Sequence, residues 1–235
     1  VFKSVEELAA LIDFTMLRPD LTEQQVIENC QYARQAGFAS VTVRPSDIDA
    51  AVRALADSST RPGTVAGFPH GDSTTATKLY EVRELLRRGA REIDAVVNIA
   101  KLLSRQFQYV ESEIQQISES CRKEGGVSKV IFENCYLSDE LKIILCRICS
   151  RAEVNLVVTS TNFSPGGYTL PDLTLMRKYL PEDTGIKAGS GVRSLEEAVS
   201  VVENSCTRIG ITQPARILEE LQATLAAPSS EASAT

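Results

Sequence analysis

Long apolar runs are missing from this chain, and so are clustered positive charges. No stretch of its 235 residues approaches the eighteen uninterrupted apolar residues of a membrane span, and the amino terminus has no charged start followed by an apolar core. The expectation is a soluble, cytoplasmic protein with no membrane partner. Lys and Arg form no basic run, and a net charge of -6 argues against nucleic acid, which rewards a concentrated positive face. Histidine occurs once, at His70, and the six cysteines are scattered through helical or strand patterns in a chain too large to need disulfide staples. Cys146 and Cys149 have a C-x-x-C spacing, but they sit in the apolar helical run from Leu141 to Ile148 with no second pair and no nearby His. No metal site and no cofactor is expected. No internal repeat is evident.

What is present is alternation. With 43% hydrophobic residues the chain can bury a large core, and short apolar runs of strand length alternate with helical periods. Strands are expected at 11–13, 39–43, 64–68, 92–98, 129–133, 156–161, 185–189 and 207–211. Helices are expected between them, several opened by capping boxes such as Ser4-x-x-Glu7, Thr22-x-x-Gln25 and Ser194-x-x-Glu197. Eight strands alternating with helices at this length predict an α/β protein, a (β/α)8 TIM barrel forming a single domain over 1–226. The small, polar residues 227–235 around Pro228 are expected to be a disordered tail.

Several of these strands end in reactive side chains. Leu156-Val157-Val158 runs into Thr159, Ser160 and Thr161. Asp94 follows Glu92 and Ile93, Glu133 follows Phe132, and Lys187 follows Ile186. In a barrel, strand ends and the loops after them form the pocket, so Asp13, Asp94, Glu133, Thr159, Thr161 and Lys187 are predicted to converge. An Asp and a Lys sharing an apolar site suit proton transfer. The competing reading is a buried ion pair that only holds the barrel together.

The segments IDFT (12–15), GFPHG (67–71), EIDAVVNIA (92–100), KVIFENCYL (129–137), TSTNF (159–163), KAGSGVRS (187–194) and TRIG (207–210) together resemble the deoxyribose-phosphate aldolase family. These are class I aldolases that join acetaldehyde to glyceraldehyde 3-phosphate through a lysine Schiff base. The resemblance covers about Ile12 to Leu218. It implies that Asp94 shuttles protons and that Lys187 sets the reactivity of a neighbouring amine. It also implies that the residue before TST is the Schiff-base lysine, and here that residue is Val158. Valine carries no nitrogen, so the usual covalent mechanism cannot run through position 158. Lys187 then faces no second ammonium and is expected as a fixed cation paired with a carboxylate such as Asp94.

Other positions depart from the family pattern as well. Phe14 stands for His, Arg18 for Lys, Arg44-Pro45 for an Asn-Pro, Asn162 for Gly, and Gln213-Pro214 for a Ser-Gly turn. Phe14, Arg18 and Arg44 are expected at the mouth, where Arg18, Arg44, Lys187 and Arg193 would favour a carboxylate or phosphate; solvated rim charges are the competing reading. Gly189-Ser190-Gly191 keeps a glycine turn into a capped helix, able with Thr159, Thr161 and Gly210 to hold an anion. His70, after Phe68-Pro69, is a further acid–base candidate, although such a loop histidine is more often scaffold.

The leading reading is a protein of aldolase type that is not a conventional aldolase: a pseudoenzyme acting as a binding, regulatory or assembly partner, with a small anionic or phosphorylated ligand, a protein partner or its own copies as the occupants of that role. The second is a redirected enzyme using Asp94 and Lys187, with or without His70, for proton-transfer, cyclisation or carbon–carbon lyase chemistry. The third is a surviving aldolase with Lys187 as the amine. An engineered lysine-to-valine knockout is the fourth, and the accompanying changes weigh against it.

Overall fold

The computed structural model describes residues 1–226, and the expected tail at 227–235 lies outside them. Eight parallel strands close on one another in sequence order: β1 (Ile12–Met16), β2 (Ser40–Val43), β3 (Arg61–Ala66), β4 (Glu92–Val96), β5 (Val127–Ile131), β6 (Leu156–Val158), β7 (Gly185–Ala188) and β8 (Arg208–Ile211). Closure comes from β8 pairing with β1, where Asp13 lies opposite Gly210. The expected (β/α)8 TIM barrel is therefore the observed fold.

The helices are α1 (Val5–Ala9), α2 (Glu23–Ala36), α3 (Ile48–Ala54), α4 (Thr75–Arg87), α5 (Ile99–Leu103), α6 (Phe107–Lys123), α7 (Asp139–Arg151), α8 (Leu170–Tyr179), α9 (Leu195–Glu203) and α10 (Pro214–Ala226). Their starts are encoded locally. Thr22 with Gln25 and Ser194 with Glu197 form complete capping boxes, and Thr74, Ser138 and Thr169 each accept a backbone N–H from their own first turn. At Ser4 the box is only half formed, because the Glu7 carboxylate takes the Lys3 N–H. Helix α5 was not anticipated from sequence. The run Glu92 to Asn98 reads as one long strand, whereas Asn98 leaves the strand and caps α5 by accepting from the Lys101 N–H.

Strand alternation sorts the side chains into two cores. Ile12, Phe14, Ile93, Val130, Val157, Ile186 and Ile209 are buried in the large cluster between barrel and helices. The intervening residues face the lumen, and there the composition changes with height. Along β4, Glu92 and Asp94 are followed by Val96; along β5, Lys129 is followed by Ile131. Val96, Ile131 and Val158 form a separate apolar cluster at the C-terminal end of the lumen, with Phe68 and Ile99 packed against it. This layer is dry, since its three members are at most 2% exposed.

Six free thiols are distributed through the fold, Cys135 exposed and the others buried. Burial pushes Cys146 up to about 12 and Cys149 well above the ordinary thiol range, so neither supplies a thiolate near neutral pH. Among the described residues no cluster of His, Cys, Asp or Glu has the arrangement to hold a metal ion, and no helix is long and apolar enough to cross a membrane.

Candidate functional site

Immediately below the Val96–Ile131–Val158 layer lies a compact ionic cluster. Lys187 Nζ is 2.7 Å from Asp94 Oδ2 and 2.5 Å from Asp13 Oδ2. Lys129 Nζ is 2.5 Å from Asp13, 2.6 Å from Glu92 and 3.0 Å from Asp94. Arg208 approaches Glu92 at 3.3 Å, and Thr42 donates a 2.6 Å hydrogen bond to Asp13. Two buried lysines and the half-buried Arg208 thus face three buried carboxylates, a balance that makes such burial tolerable.

Geometry explains the titration of these groups. Burial alone would raise the Asp13 pKa, but Lys129 and Lys187 hold this carboxyl well below the usual range. Burial would likewise lower Lys129, and the carboxylates of Asp13, Asp94 and Glu92 carry it above the ordinary lysine value. Glu92 is also depressed, with Lys129 and Arg208 outweighing burial and the repulsion from Asp13. Room for the Lys187 stem comes from Gly210, where a Cβ would stand 3.2 Å from Lys187 Cε and 2.9 Å from the Gly189 carbonyl oxygen.

The expected contact between Lys187 and Asp94 is present. Of the other residues predicted to converge, Asp13 joins them, but Glu133 and Thr161 pair with each other, the Thr161 hydroxyl donating to the Glu133 carboxylate and the Thr161 N–H pointing at it. That turn ends β6 at Val158, three residues before the expected limit, because Thr161 spends its N–H on a side chain and not on the ladder. Thr159 Oγ1 accepts the Gly189 N–H at 3.0 Å.

The expected anion-binding residues are not gathered into one site. All three nitrogens of the Arg44 guanidinium are engaged inside the protein, with Asp47 at 2.5 Å and with the carbonyl oxygens of Arg18, Pro19 and Leu21. Arg44 therefore fastens the β1–α2 loop. Arg18 is 68% exposed and paired with Asp20. Phe14 lies inside β1, buried; it meets Phe38 and Tyr32 edge-on at 5.9 and 6.4 Å and also borders the cavity at the mouth that Arg18 and Asn162 line. In the glycine turn, the Arg193 N–H is taken by Glu197 at 2.6 Å, Ser190 is buried, and Gly191 has φ +103°. His70 is exposed and lines a separate cavity of about 460 Å³ beside Asp72 and Glu84.

Sequence reasoning missed the roles of Glu92, Lys129 and Arg208 in the cluster. The signal was available: each is a charge at an alternate position in an otherwise apolar strand, which in a closed barrel means a lumenal charge. The lid was missed as well. Phe68, after β3, and Phe163, after β6, meet edge-on at 5.2 Å, and Phe68 covers the apolar layer containing Val158.

Fold and lumen together define a parallel (β/α)8 barrel with an acid–amine centre under its C-terminal end, the end where such barrels carry their chemistry. The family described as DeoC/LacD family aldolase matches residues 8–142. The deoxyribose-phosphate aldolase of Caldanaerobacter subterraneus subsp. tengcongensis is 42% identical over 219 residues, covering 93% of this chain and 95% of that protein. That of Bacteroides thetaiotaomicron is 39% identical, covering 92% and 91% respectively. Among solved structures, the tetrameric deoxyribose phosphate aldolase of Aeropyrum pernix superposes with a TM-score of 0.85 at 29% identity, covering 95% of this chain and 94% of that one. The chain belongs to the DeoC/LacD aldolase family.

Proposed function

We propose that this chain is a cytoplasmic member of the family that has given up Schiff-base catalysis and works as a binding, regulatory or assembly component. One observation carries the reading: Lys187 Nζ is held between Asp94 and Asp13 at 2.7 and 2.5 Å. Imine formation needs an amine free to reach a substrate carbonyl, and here the Lys187 amine is held by two carboxylates instead. Lys129, the other lumenal amine, faces three carboxylates and is fully buried. Position 158 presents only two methyl groups to a dry apolar layer. Assembly fits this role, since a relative is described as a tetramer.

A redirected enzyme is the second reading, and Asp94 favours it. Its Oδ1 is buried and, although 3.0 Å from Lys129 Nζ, has no aligned hydrogen-bond donor. A carboxylate oxygen left in that state is a proton acceptor, suited to proton transfer on a small carbonyl or sugar phosphate. Borohydride trapping with acetaldehyde and with deoxyribose 5-phosphate, followed by peptide mapping, separates the readings. The expected result is no adduct and no turnover. An adduct on Lys187 would overturn both readings and restore an aldolase, whereas turnover without an adduct would favour the redirected enzyme.

A further inference from the structure

Helix α4 turns two polar side chains toward the C-terminal ends of β3 and β4. Glu81 Oε2 accepts the Gly67 N–H at 2.8 Å, and Lys78 Nζ donates to the Val96 carbonyl oxygen at 2.8 Å. Both targets lie where strand pairing runs out, since the β3–β4 ladder ends with Ala66 opposite Ala95. Side chains at this spacing share a helix face, so one turn of α4 takes a backbone group from each strand end.

Lys78 is held in place from behind. It is fully buried, its Nζ lies 2.8 Å from Glu113 Oε1 on α6, and the Thr75 hydroxyl donates to the other Glu113 oxygen at 3.0 Å. Gly67 fits closely against the lysine stem: its φ is +60°, and a Cβ there would stand 2.7 Å from Lys78 Cε. The next residue is Phe68, whose ring covers the layer of Val96, Ile131 and Val158 and meets Phe163. The Gly67 carbonyl oxygen accepts the Gly71 N–H at 2.7 Å, closing the turn that carries this ring. Glu81 thus fixes the amide from which the lid starts, and Lys78 fixes the strand end that the lid covers. An ion pair that served only to pack α4 on α6 would need neither contact.

We infer that Lys78 and Glu81 are positioning residues: together they hold Phe68 at the height that seals Val158 from solvent, and Glu113 orients Lys78 for that task. The clamp does not depend on whether Lys187 forms an imine, so the trapping experiment can fail without touching it.

The test reads lid opening directly. Val158→Cys, made together with Cys135→Ser to remove the exposed thiol, places a small reporter under Phe68, and the five buried cysteines report global unfolding. Labelling of the full chain with iodoacetamide, followed by mass spectrometry, gives each rate, since a buried thiol reacts only when its cover opens. Slow labelling at position 158 is expected in this parent. Glu81→Ala should speed it roughly fivefold, the factor carried by one net hydrogen bond, with the buried cysteines unchanged. Glu81→Gln, which keeps an acceptor for the Gly67 N–H, should restore the parent rate. Lys78→Met combined with Glu113→Gln, which leaves no buried charge unpaired, should match Glu81→Ala. The inference is overturned if the parent thiol at position 158 is labelled as fast as Cys135 in the unaltered chain, or if either clamp variant leaves its rate unchanged. It is overturned equally if the buried cysteines speed up in step, or if Glu81→Gln behaves like Glu81→Ala.

Discussion

Two levels of the same lumen, one alternate residue apart on β4 and β5, have opposite characters. The level of Asp94 and Lys129 is held by ion pairs; at Val96 and Ile131, joined by Val158, no side chain is polar. A buried ionic layer is stable only while its charges balance, and it tolerates no vacancy. An apolar layer is indifferent to charge and sensitive to volume. Family chemistry requires an amine on the upper level. This chain keeps the lower level intact and has made the upper one continuous with the lid of Phe68.

The largest effect should follow from breaking the lower level. Lys129→Met removes the cation shared by Asp13, Glu92 and Asp94 and should cost about 3–5 kcal/mol of unfolding free energy, the range for leaving buried charges unpaired. Denaturant titration measures it directly. The pH dependence follows with a definite sign. Asp13 and Glu92 are depressed in the folded state, so their stabilisation is present above the unfolded carboxyl values near 4 and is lost as pH falls through the folded ones. Lys129 is raised, so its share is present below about 10 and lost above that. The unfolding midpoint should accordingly be flat between those limits, and the acid limb should be shallower in Lys129→Met.

A smaller effect is expected on the upper level. Val158→Lys places an amine among Val96, Ile131 and Phe68 and should cost about 1–3 kcal/mol for an unsatisfied buried donor. It should not restore ordinary class I aldolase rates, because Asn162 and Gln213 still shape the mouth, and a displacement of about 1 Å can cost roughly a hundredfold. A single variant that approached those rates would erase the distinction between the levels.

Two arginines outside the lumen should differ sharply, and one of them gives the smallest effect of all. Arg44→Ala should lose about 1–3 kcal/mol, since it leaves Asp47 and three carbonyl oxygens without their donor. Arg18→Ala should leave the thermal midpoint unchanged, because among the described residues its side chain pairs only with the exposed Asp20.

Barrel order and strand faces were legible in the chain because period-2 alternation and helix caps are local signals. Asp94 and Lys187 were legible as a pair because each is a charge set in a short apolar strand and each stands in a segment that resembles the family's. The roles of Arg44 and Phe14 were not, since each depends on what packs across from it: loop carbonyls 23 to 26 residues away for Arg44, and α2 for Phe14. The end of β6 was overrun for a similar reason. Whether Thr161 donates to a strand or to Glu133, 28 residues earlier, is decided by the turn at Glu133, which has φ +55°.

The provenance of the lumenal charges along the chain has a consequence for how the barrel can assemble. The carboxylates of Asp13, Glu92 and Asp94 come from β1 and β4, whereas Lys129, Lys187 and Arg208 come from β5, β7 and β8. Apart from Arg61 at the open rim, 3.7 Å from Glu92, the first half-barrel brings no lumenal cation of its own. Buried on its own, that half would enclose three carboxylates with only Arg61 to offset them. The second half is its mirror in sign. Each half is thus a poor domain and a good complement, which disfavours premature closure of the first half and favours docking of the two separately expressed halves through their inner faces.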